Sequence, residues 1–198
     1  MVPGSTEGRA IGPVLVRIAA GLAAVALLLL AERMPIWVAQ FSAPQYPDGL
    51  DLTAYGNRVE GDMGEILELS HYIGMRPFDV VDMPEMRFWL PVILLGTAAA
   101  VLAVVATRPW LRRVACAAVW LIPVGALADV QFRLWQSGHG LDSAAAIRMD
   151  PFTPLAIGRT TQMNFTIWAY PGSALLLIAL AAALVTLTPF FARRLTRR

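Results

Sequence analysis

Four long apolar stretches constrain this chain more than any other feature of its sequence. They cover residues 11–31, 88–107, 114–132 and 171–192. About 20 residues of α-helix cross the roughly 30 Å hydrocarbon core of a bilayer, and a helix satisfies its own backbone hydrogen bonds there. Only 15% of the 198 residues are charged, against about 25% in soluble domains. The sequence therefore predicts four membrane crossings and leaves no room for a large soluble catalytic domain.

Arginine is distributed unevenly between the two sides of the predicted bundle. The chain up to Arg17, the turn between the second and third stretches and the C-terminal tail carry nine arginines and one acid. The remaining segments, counted with Asp129, carry seven arginines and thirteen acids. Because positive residues favour the cytoplasmic side, we expect a multi-pass protein of a bacterial inner membrane with both termini in the cytoplasm. No small-residue cleavage site precedes Glu32, so the first stretch is interpreted as a retained anchor.

These assignments divide the chain into eight segments, two of them long and outside the membrane. Outer segments of this length are usually functional rather than simple connectors. The predicted segments are 1–31 for the cytoplasmic N-terminus and first helix, 32–87 for the first extracytoplasmic segment, 88–107 for the second helix, 108–113 for a cytoplasmic turn, 114–132 for the third helix, 133–170 for the second extracytoplasmic segment, 171–192 for the fourth helix and 193–198 for a cytoplasmic tail.

The two outer segments carry their own secondary-structure signals. Asp62 followed by Glu65 has the spacing of a capping box, which predicts a helix over 63–73 that ends at Gly74. Short alternating patterns predict strands at 50–53 and 162–167, which we expect to pair. We therefore predict an all-α integral membrane protein, in which four transmembrane helices carry a small mixed cap made by the two outer loops.

Both histidines and all methionines except Met1 lie in the outer segments. Thioether and imidazole ligands without thiolates suit copper, especially Cu(I). The alternative is that methionine simply packs irregular cores. The residues concerned are Met34, Met63, Met75, Met83, Met86, Met149, Met163, His71 and His139.

The predicted outer helix places three candidate residues together. Glu68 lies one turn before His71, and Met75 lies one turn after it. A histidine metal ligand whose ring is oriented by a neighbouring carboxylate has this arrangement, although a histidine hydrogen-bonded to an acid at a helix end has it too. Met86 and His139 are candidate additional ligands. His139 is predicted to lie on a flexible loop, and the alternative is that its side chain is exposed to solvent and binds nothing.

Other functional classes find little support in the sequence. Asp129 is an intramembrane polar residue and hence a functional candidate, but an ion pair with Arg133 at the helix end also explains it. A single cysteine, Cys116, excludes internal disulfides and thiolate clusters. We expect no haem, because the spans lack a histidine pair, and no nucleotide or hydrolase site, because their motifs are absent. The overall basic character comes from the inner arginines and is no sign of nucleic-acid binding.

Two outer stretches resemble an uncharacterised family of bacterial polytopic membrane proteins associated with copper-enzyme accessory loci, of the kind that mature nitrous oxide reductase. They are YPDGLDLTAYGNRVEGDMGEILELSHYIGM, residues 46–75, and DPFTPLAIGRTTQMNF, residues 150–165. The family motif reads Leu-Asn-His-Tyr-Ile-Gly-Met, and this chain has serine at position 70 in place of the asparagine. The resemblance implies an association with copper and a focus on His71 and Met75.

Together these observations lead to one leading hypothesis. We expect a non-enzymatic inner-membrane accessory protein, in contact with the lipid bilayer and with other membrane or extracytoplasmic proteins. Its cap would bind or hand over copper, or dock a copper chaperone or enzyme. The alternative is a non-catalytic structural or assembly subunit of a larger membrane complex. A small transporter would need a polar path, for which only Asp129 and Gln131 provide a hint.

Overall fold

The computed structural model describes residues 7–75 and 84–196 of the chain. Within these ranges five α-helices, one short 3₁₀ helix and five strands follow one another. They are α1 (Glu7–Ala31), β1 (Trp37–Ala43), β2 (Tyr46–Ala54), β3 (Val59–Gly61), α2 (Met63–Tyr72), the 3₁₀ helix (Pro84–Phe88), α3 (Trp89–Val105), α4 (Pro109–His139), β4 (Gly158–Gln162), β5 (Phe165–Pro171) and α5 (Ser173–Thr196). The chain divides into two compact units, a helical unit made of residues 1–32, 91–123 and 176–198, and a sheet unit made of residues 33–90 and 124–175.

The helical unit is formed by the long apolar helices of the protein. Among the described residues, α1, α3, α4 and α5 are the helices long and apolar enough to cross a bilayer. Small side chains are buried between them, including Ala24, Ala100 and Ala182, which lets the helix backbones approach closely. Leucines such as Leu95, which is 71% exposed, face outward. The helical unit therefore fits a lipid environment, and the prediction of a four-helix membrane protein is confirmed at this level.

The sheet unit contains a single antiparallel sheet within the described residues. Its strand order is β3-β2-β1-β5-β4, so β1 lies at the centre. Alternation along β1 buries Trp37 and Ala39 on one face and exposes Gln40 on the other. The neighbouring strand β2 adds the buried Leu52 to the inner face. Helix α2 contributes the buried Ile66 to the same unit.

The prediction of an all-α fold is wrong. The chain is 59% helical and 18% strand, and the strands form a five-stranded sheet rather than a small mixed cap. The predicted strand at 162–167 is two strands, because Gln162 pairs with Phe165 across a two-residue turn. The predicted pairing of this region with 50–53 is also wrong, since β1 lies between β2 and β5. The sequence pattern did not predict strand β1, because the consecutive apolar residues Val38 and Ala39 interrupt the alternation of polar and apolar side chains.

The helices of the sheet unit differ from expectation at their ends. Helix α2 covers Met63–Tyr72 and is followed by Gly74 at a φ of +71°, as predicted. Asp62 does not cap it through its side chain; its Oδ2 accepts a hydrogen bond from the Asp51 amide at 2.8 Å. Helix α4 does not end near residue 132 but continues through His139. The residue expected on a flexible loop is therefore the last residue of a 31-residue helix.

Candidate functional site

An apolar pocket of about 250 Å³ lies within the sheet unit. The inner face of the sheet, α2, the end of α4 and the segment 147–155 form its walls. Its lining is almost entirely apolar, and no charged side chain occurs among the described residues that form it. Trp37, Leu52, Ile66 and Leu134 are buried in the wall. Such a concave apolar site is the usual form of a small-ligand pocket.

Two polar anchors hold the segment 147–155 in place. The Gln131 amide donates to the Pro154 carbonyl and accepts from the Ala156 amide, each at 2.9 Å. The buried Trp37 indole N–H donates to the Ala156 carbonyl at 2.7 Å. Gln131 lies within the helix predicted over 114–132, and because α4 continues beyond that end, Leu134 also lies in the pocket wall. The sequence hinted at Gln131 as part of a transport path, but its hydrogen bonds are structural.

The end of α2 is tied to the loop that follows α4. The Asp142 amide donates to the Gly74 carbonyl at 2.8 Å, and the Ile147 amide donates to the Tyr72 carbonyl at 3.0 Å. A Cβ on Gly74 would come within 2.8 Å of the Asp142 carbonyl, and its φ is positive. Glycine is therefore required here both for the turn and for the close approach. The turn places Met75 at the pocket.

Methionine side chains reach the pocket from three separate parts of the chain. Met75 follows α2, Met149 lies in the segment after α4, and Met163 forms the turn between β4 and β5. Met75 and Met149 are half-buried, whereas Met163 is 59% exposed. The sequence pattern selected Met75 as a candidate ligand but did not select Met149 or Met163. One signal was available, because the alternation puts Met163 on the same face as Phe165 and Ile167.

Met163 has an unusual backbone conformation. Its φ is +52°, and it is the one non-glycine residue with a positive φ in the part of the chain that the structure describes. Two-residue hairpin turns usually place glycine or asparagine at such positions, because a Cβ is crowded there. Strained residues of this kind accumulate at functional sites. The hairpin thus carries an exposed thioether at a position where glycine would fit better.

His71 and Glu68 lie on the outside of α2. Both side chains are exposed. His71 borders a second, more open depression together with Met75 and Asp142, so the structure brings the two main candidates to one surface. Within residues 7–75 and 84–196, no three His, Cys, Asp or Glu side chains gather where they could hold a metal. Tyr72 and Met75 line both depressions.

The additional candidates lie elsewhere in the sheet unit. His139 stacks on Trp135 with ring centroids 4.9 Å apart, and its Nδ1 lies 3.0 Å from the Trp135 carbonyl oxygen. Met86 is half-buried on the 3₁₀ helix. Neither residue lines either depression. Met83 falls outside the described residues.

Asp129 belongs to a polar cluster on α4. Arg133 Nη2 and Glu85 Oε2 form an ion pair at 2.5 Å, and both side chains are partly buried. Asp129 interacts electrostatically with both of these residues. Among the described residues Arg133 therefore pairs with Glu85 and not with Asp129, which the sequence did not reveal.

A smaller charged cluster lies on β3 and the turn before it. Arg58 Nε and Glu60 Oε1 form an ion pair at 2.5 Å, and the Arg58 guanidinium lies 3.8 Å from the Tyr55 ring centroid. The hydrogen bond from Arg58 lowers the pKa of Glu60 below its ordinary value. Both side chains are about half exposed, so the pair contributes little to stability.

Comparison with known proteins gives no relative from which a function could be transferred. No protein-family model matches the chain, and no curated protein matches it. The functional hypothesis therefore depends on the residues of the chain itself.

Proposed function

We propose that this protein is a non-catalytic accessory protein of a bacterial inner membrane, whose extracytoplasmic sheet unit binds Cu(I) and hands it to another protein. The observation that carries the proposal is the convergence of Met75, Met149 and Met163 on one apolar pocket. These methionines come from segments far apart in sequence. The arrangement differs from the site expected from sequence, because Met149 and Met163 take the place of Met86 and His139.

The chemistry of the pocket suits a soft monovalent ion. Thioethers are soft ligands that favour Cu(I) over the harder divalent metals. Their neutrality leaves the positive charge of the ion uncompensated in an apolar environment, which is costly. Binding is therefore expected to be weaker than at a thiolate site, as a site that releases its ion to a partner requires. His71, exposed beside Met75, is a candidate for the first contact of the incoming ion.

Two features of the sequence support the proposed location and the proposed cargo. The arginine distribution favours cytoplasmic termini, which leaves the sheet unit outside the cytoplasm. The resemblance of residues 46–75 and 150–165 to proteins of copper-enzyme accessory loci supports copper as the cargo.

An anaerobic Cu(I) titration of the full-length protein against a competing chelator tests the proposal. The informative variant replaces Met75, Met149 and Met163 with leucine, which preserves apolar volume but removes the thioethers. We expect stoichiometric binding in the wild type and at least a tenfold loss of affinity in this variant. The matched control replaces Met34, Met63 and Met86, none of which lines the pocket, and should bind like the wild type. Equal losses in both triple variants would contradict the proposed site.

A His71→Ala variant distinguishes a role of His71 in the initial capture of Cu(I) from a role as a ligand of the bound ion. If His71 acts only in capture, the equilibrium affinity should change less than in the triple variant, while the rate of Cu(I) uptake falls. An affinity loss as large as that of the triple variant would make His71 a ligand of the stored ion.

A second candidate function is that of a structural or assembly subunit. The outer face of the sheet favours it, because Trp168 is about half exposed there and Arg159 lies over its ring at 5.5 Å from the centroid. Exposed aromatic and arginine side chains are typical anchors of protein interfaces. Affinity purification that recovers a stoichiometric partner in the absence of copper, and loses it in Trp168→Ala, would favour this alternative.

A further inference from the structure

The apolar pocket has more room than a metal ion needs. Its volume is about 250 Å³, whereas an engineered cavity of roughly 150 Å³ stays dry and binds benzene. The deep wall is formed by Trp37, Leu52, Ile66 and Leu134, all buried. The Trp37 indole N–H already has its partner in the Ala156 carbonyl. These four side chains therefore offer no free hydrogen-bonding group and favour a hydrocarbon occupant, and the Ser70 hydroxyl is the buried polar group of the same lining.

The rim of the pocket has a different chemical character at the turn end of the sheet. Gln45 lies in the turn between β1 and β2, and Gln162 and Asn164 lie at the turn between β4 and β5. The two turns are neighbours, since the Tyr46 and Phe165 rings are 6.4 Å apart. Carboxamides both donate and accept hydrogen bonds but carry no charge. This part of the rim can therefore bind an uncharged polar group.

The apolar deep wall and the carboxamide-bearing rim together indicate the chemical class of the ligand. Among the described lining residues there is no cation to pair with a carboxylate or phosphate, and an unpaired charge at an apolar site is costly. We propose that the pocket binds the acyl chain of a single-chain lipid with an uncharged hydroxyl- or ester-bearing head, of the monoacylglycerol class. This inference goes beyond copper binding and does not depend on it.

The connectivity of the chain supports a lipid from the membrane. Strand β1 begins six residues after the end of α1, and β5 is separated from α5 by Gly172 alone. Helix α4, which supplies Leu134 to the pocket, is itself one of the candidate spans. Membrane lipid is thus the apolar ligand most concentrated around this protein.

Photolabelling of the full-length protein tests the proposal. The protein is placed in phosphatidylcholine nanodiscs that contain a monoacylglycerol with a diazirine at the end of its chain, irradiated, digested and analysed by mass spectrometry. We expect adducts on the peptides that carry Ile66 and Leu134. Excess unlabelled monoacylglycerol should reduce these adducts at least fivefold without reducing those on α1 and α3. Labelling confined to the membrane helices, or pocket adducts that resist competition, would overturn the proposal.

Three further comparisons separate the determinants. A diazirine fatty acid of equal length carries a charged head and should label the pocket at least fivefold less; equal labelling would refute the assignment of an uncharged head. Ile66→Trp should fill the base and abolish the adducts, and the competition in the wild type provides the same test if this variant does not fold. The triple leucine variant at Met75, Met149 and Met163 should retain lipid labelling while losing Cu(I). Labelling lost along with Cu(I) would show that the thioethers hold the lipid and would overturn a site based on apolar volume.

Discussion

Replacing Met163 with glycine should increase stability and weaken copper binding at the same time. Met163 has a φ of +52° at the tip of the β4–β5 hairpin. The left-handed conformation costs a residue with a Cβ about 1–2 kcal/mol. Glycine removes this cost but loses roughly 0.5–1 kcal/mol more conformational entropy on folding. The free energy of unfolding of the sheet unit should therefore rise by about 0.5–1 kcal/mol.

The two effects are measured on the same preparation. A gain of this size should raise the midpoint of thermal unfolding by roughly 2–4 °C. The unfolding is monitored by far-ultraviolet circular dichroism at the wavelengths of the β-sheet signal. The anaerobic Cu(I) titration should show about a tenfold loss of affinity, which corresponds to about 1.4 kcal/mol. The opposite signs distinguish a residue retained for its side chain from one retained for folding.

Two other substitutions in the same hairpin turn serve as controls for this prediction. Asn164 has a negative φ, so Asn164→Gly should lower the free energy of unfolding by about 0.5–1 kcal/mol and leave Cu(I) affinity unchanged. Met163→Leu keeps the backbone strain and should weaken Cu(I) binding without a gain in stability. If Met163→Gly stabilises the sheet unit but binds Cu(I) like the wild type, the exposed thioether is not a ligand. If it destabilises, the argument from backbone strain is refuted.

Three further predictions concern the sheet unit. Gly56→Ala should destabilise by about 1–3 kcal/mol, because its Cβ would lie 1.9 Å from the Trp89 ring; wild-type stability in chemical denaturation would contradict this packing. Trp37→Phe should cost about 1–3 kcal/mol, because it leaves a buried carbonyl without a donor, and circular dichroism would detect the loss. Arg58→Ala should raise the pKa of Glu60 toward its ordinary value, measured by NMR titration. Since that pKa is lowered in the folded protein, the pair stabilises above the unfolded pKa, and the contribution disappears as the pH falls through the folded value.

The parts of the fold that the sequence predicted depend on local signals. The spans follow from runs of about 20 apolar residues, and α2 follows from helical periodicity ended by Gly74. The alternation after position 162 also identified the pocket-facing side of Phe165 and Ile167. Each of these features can be recognised within a window of some twenty residues.

The parts that could not be predicted depend on contacts distant in sequence. The central position of β1 is fixed by pairing with β2 on one side and β5, more than a hundred residues later, on the other. Asp62 looked like a helix cap, but the neighbouring strand offers its side chain the Asp51 amide instead. The glycines flanking His139 indicated a loop, yet a close approach of Gly138 to the Phe152 carbonyl requires glycine there within a helix.

The convergence of methionines was likewise beyond the sequence. The sequence has all methionines except Met1 in the predicted outer segments, and spacing along α2 favoured His71 with Met75. Met149 has no periodic neighbour that would indicate its direction. It reaches the pocket because Gln131 holds the following residues through two hydrogen bonds, a contact that no local pattern encodes.

The tie between α2 and the loop after α4 has a consequence for the kinetics of the pocket. Two backbone hydrogen bonds, from the Asp142 amide to Gly74 and from the Ile147 amide to Tyr72, join pocket walls that are otherwise distant in the chain. Breaking them frees one wall without unfolding the sheet, so the pocket can exchange its contents by a local fluctuation. The amide hydrogens of Asp142 and Ile147 should then exchange with solvent faster than those of β1, and their exchange rates would report how often the pocket opens.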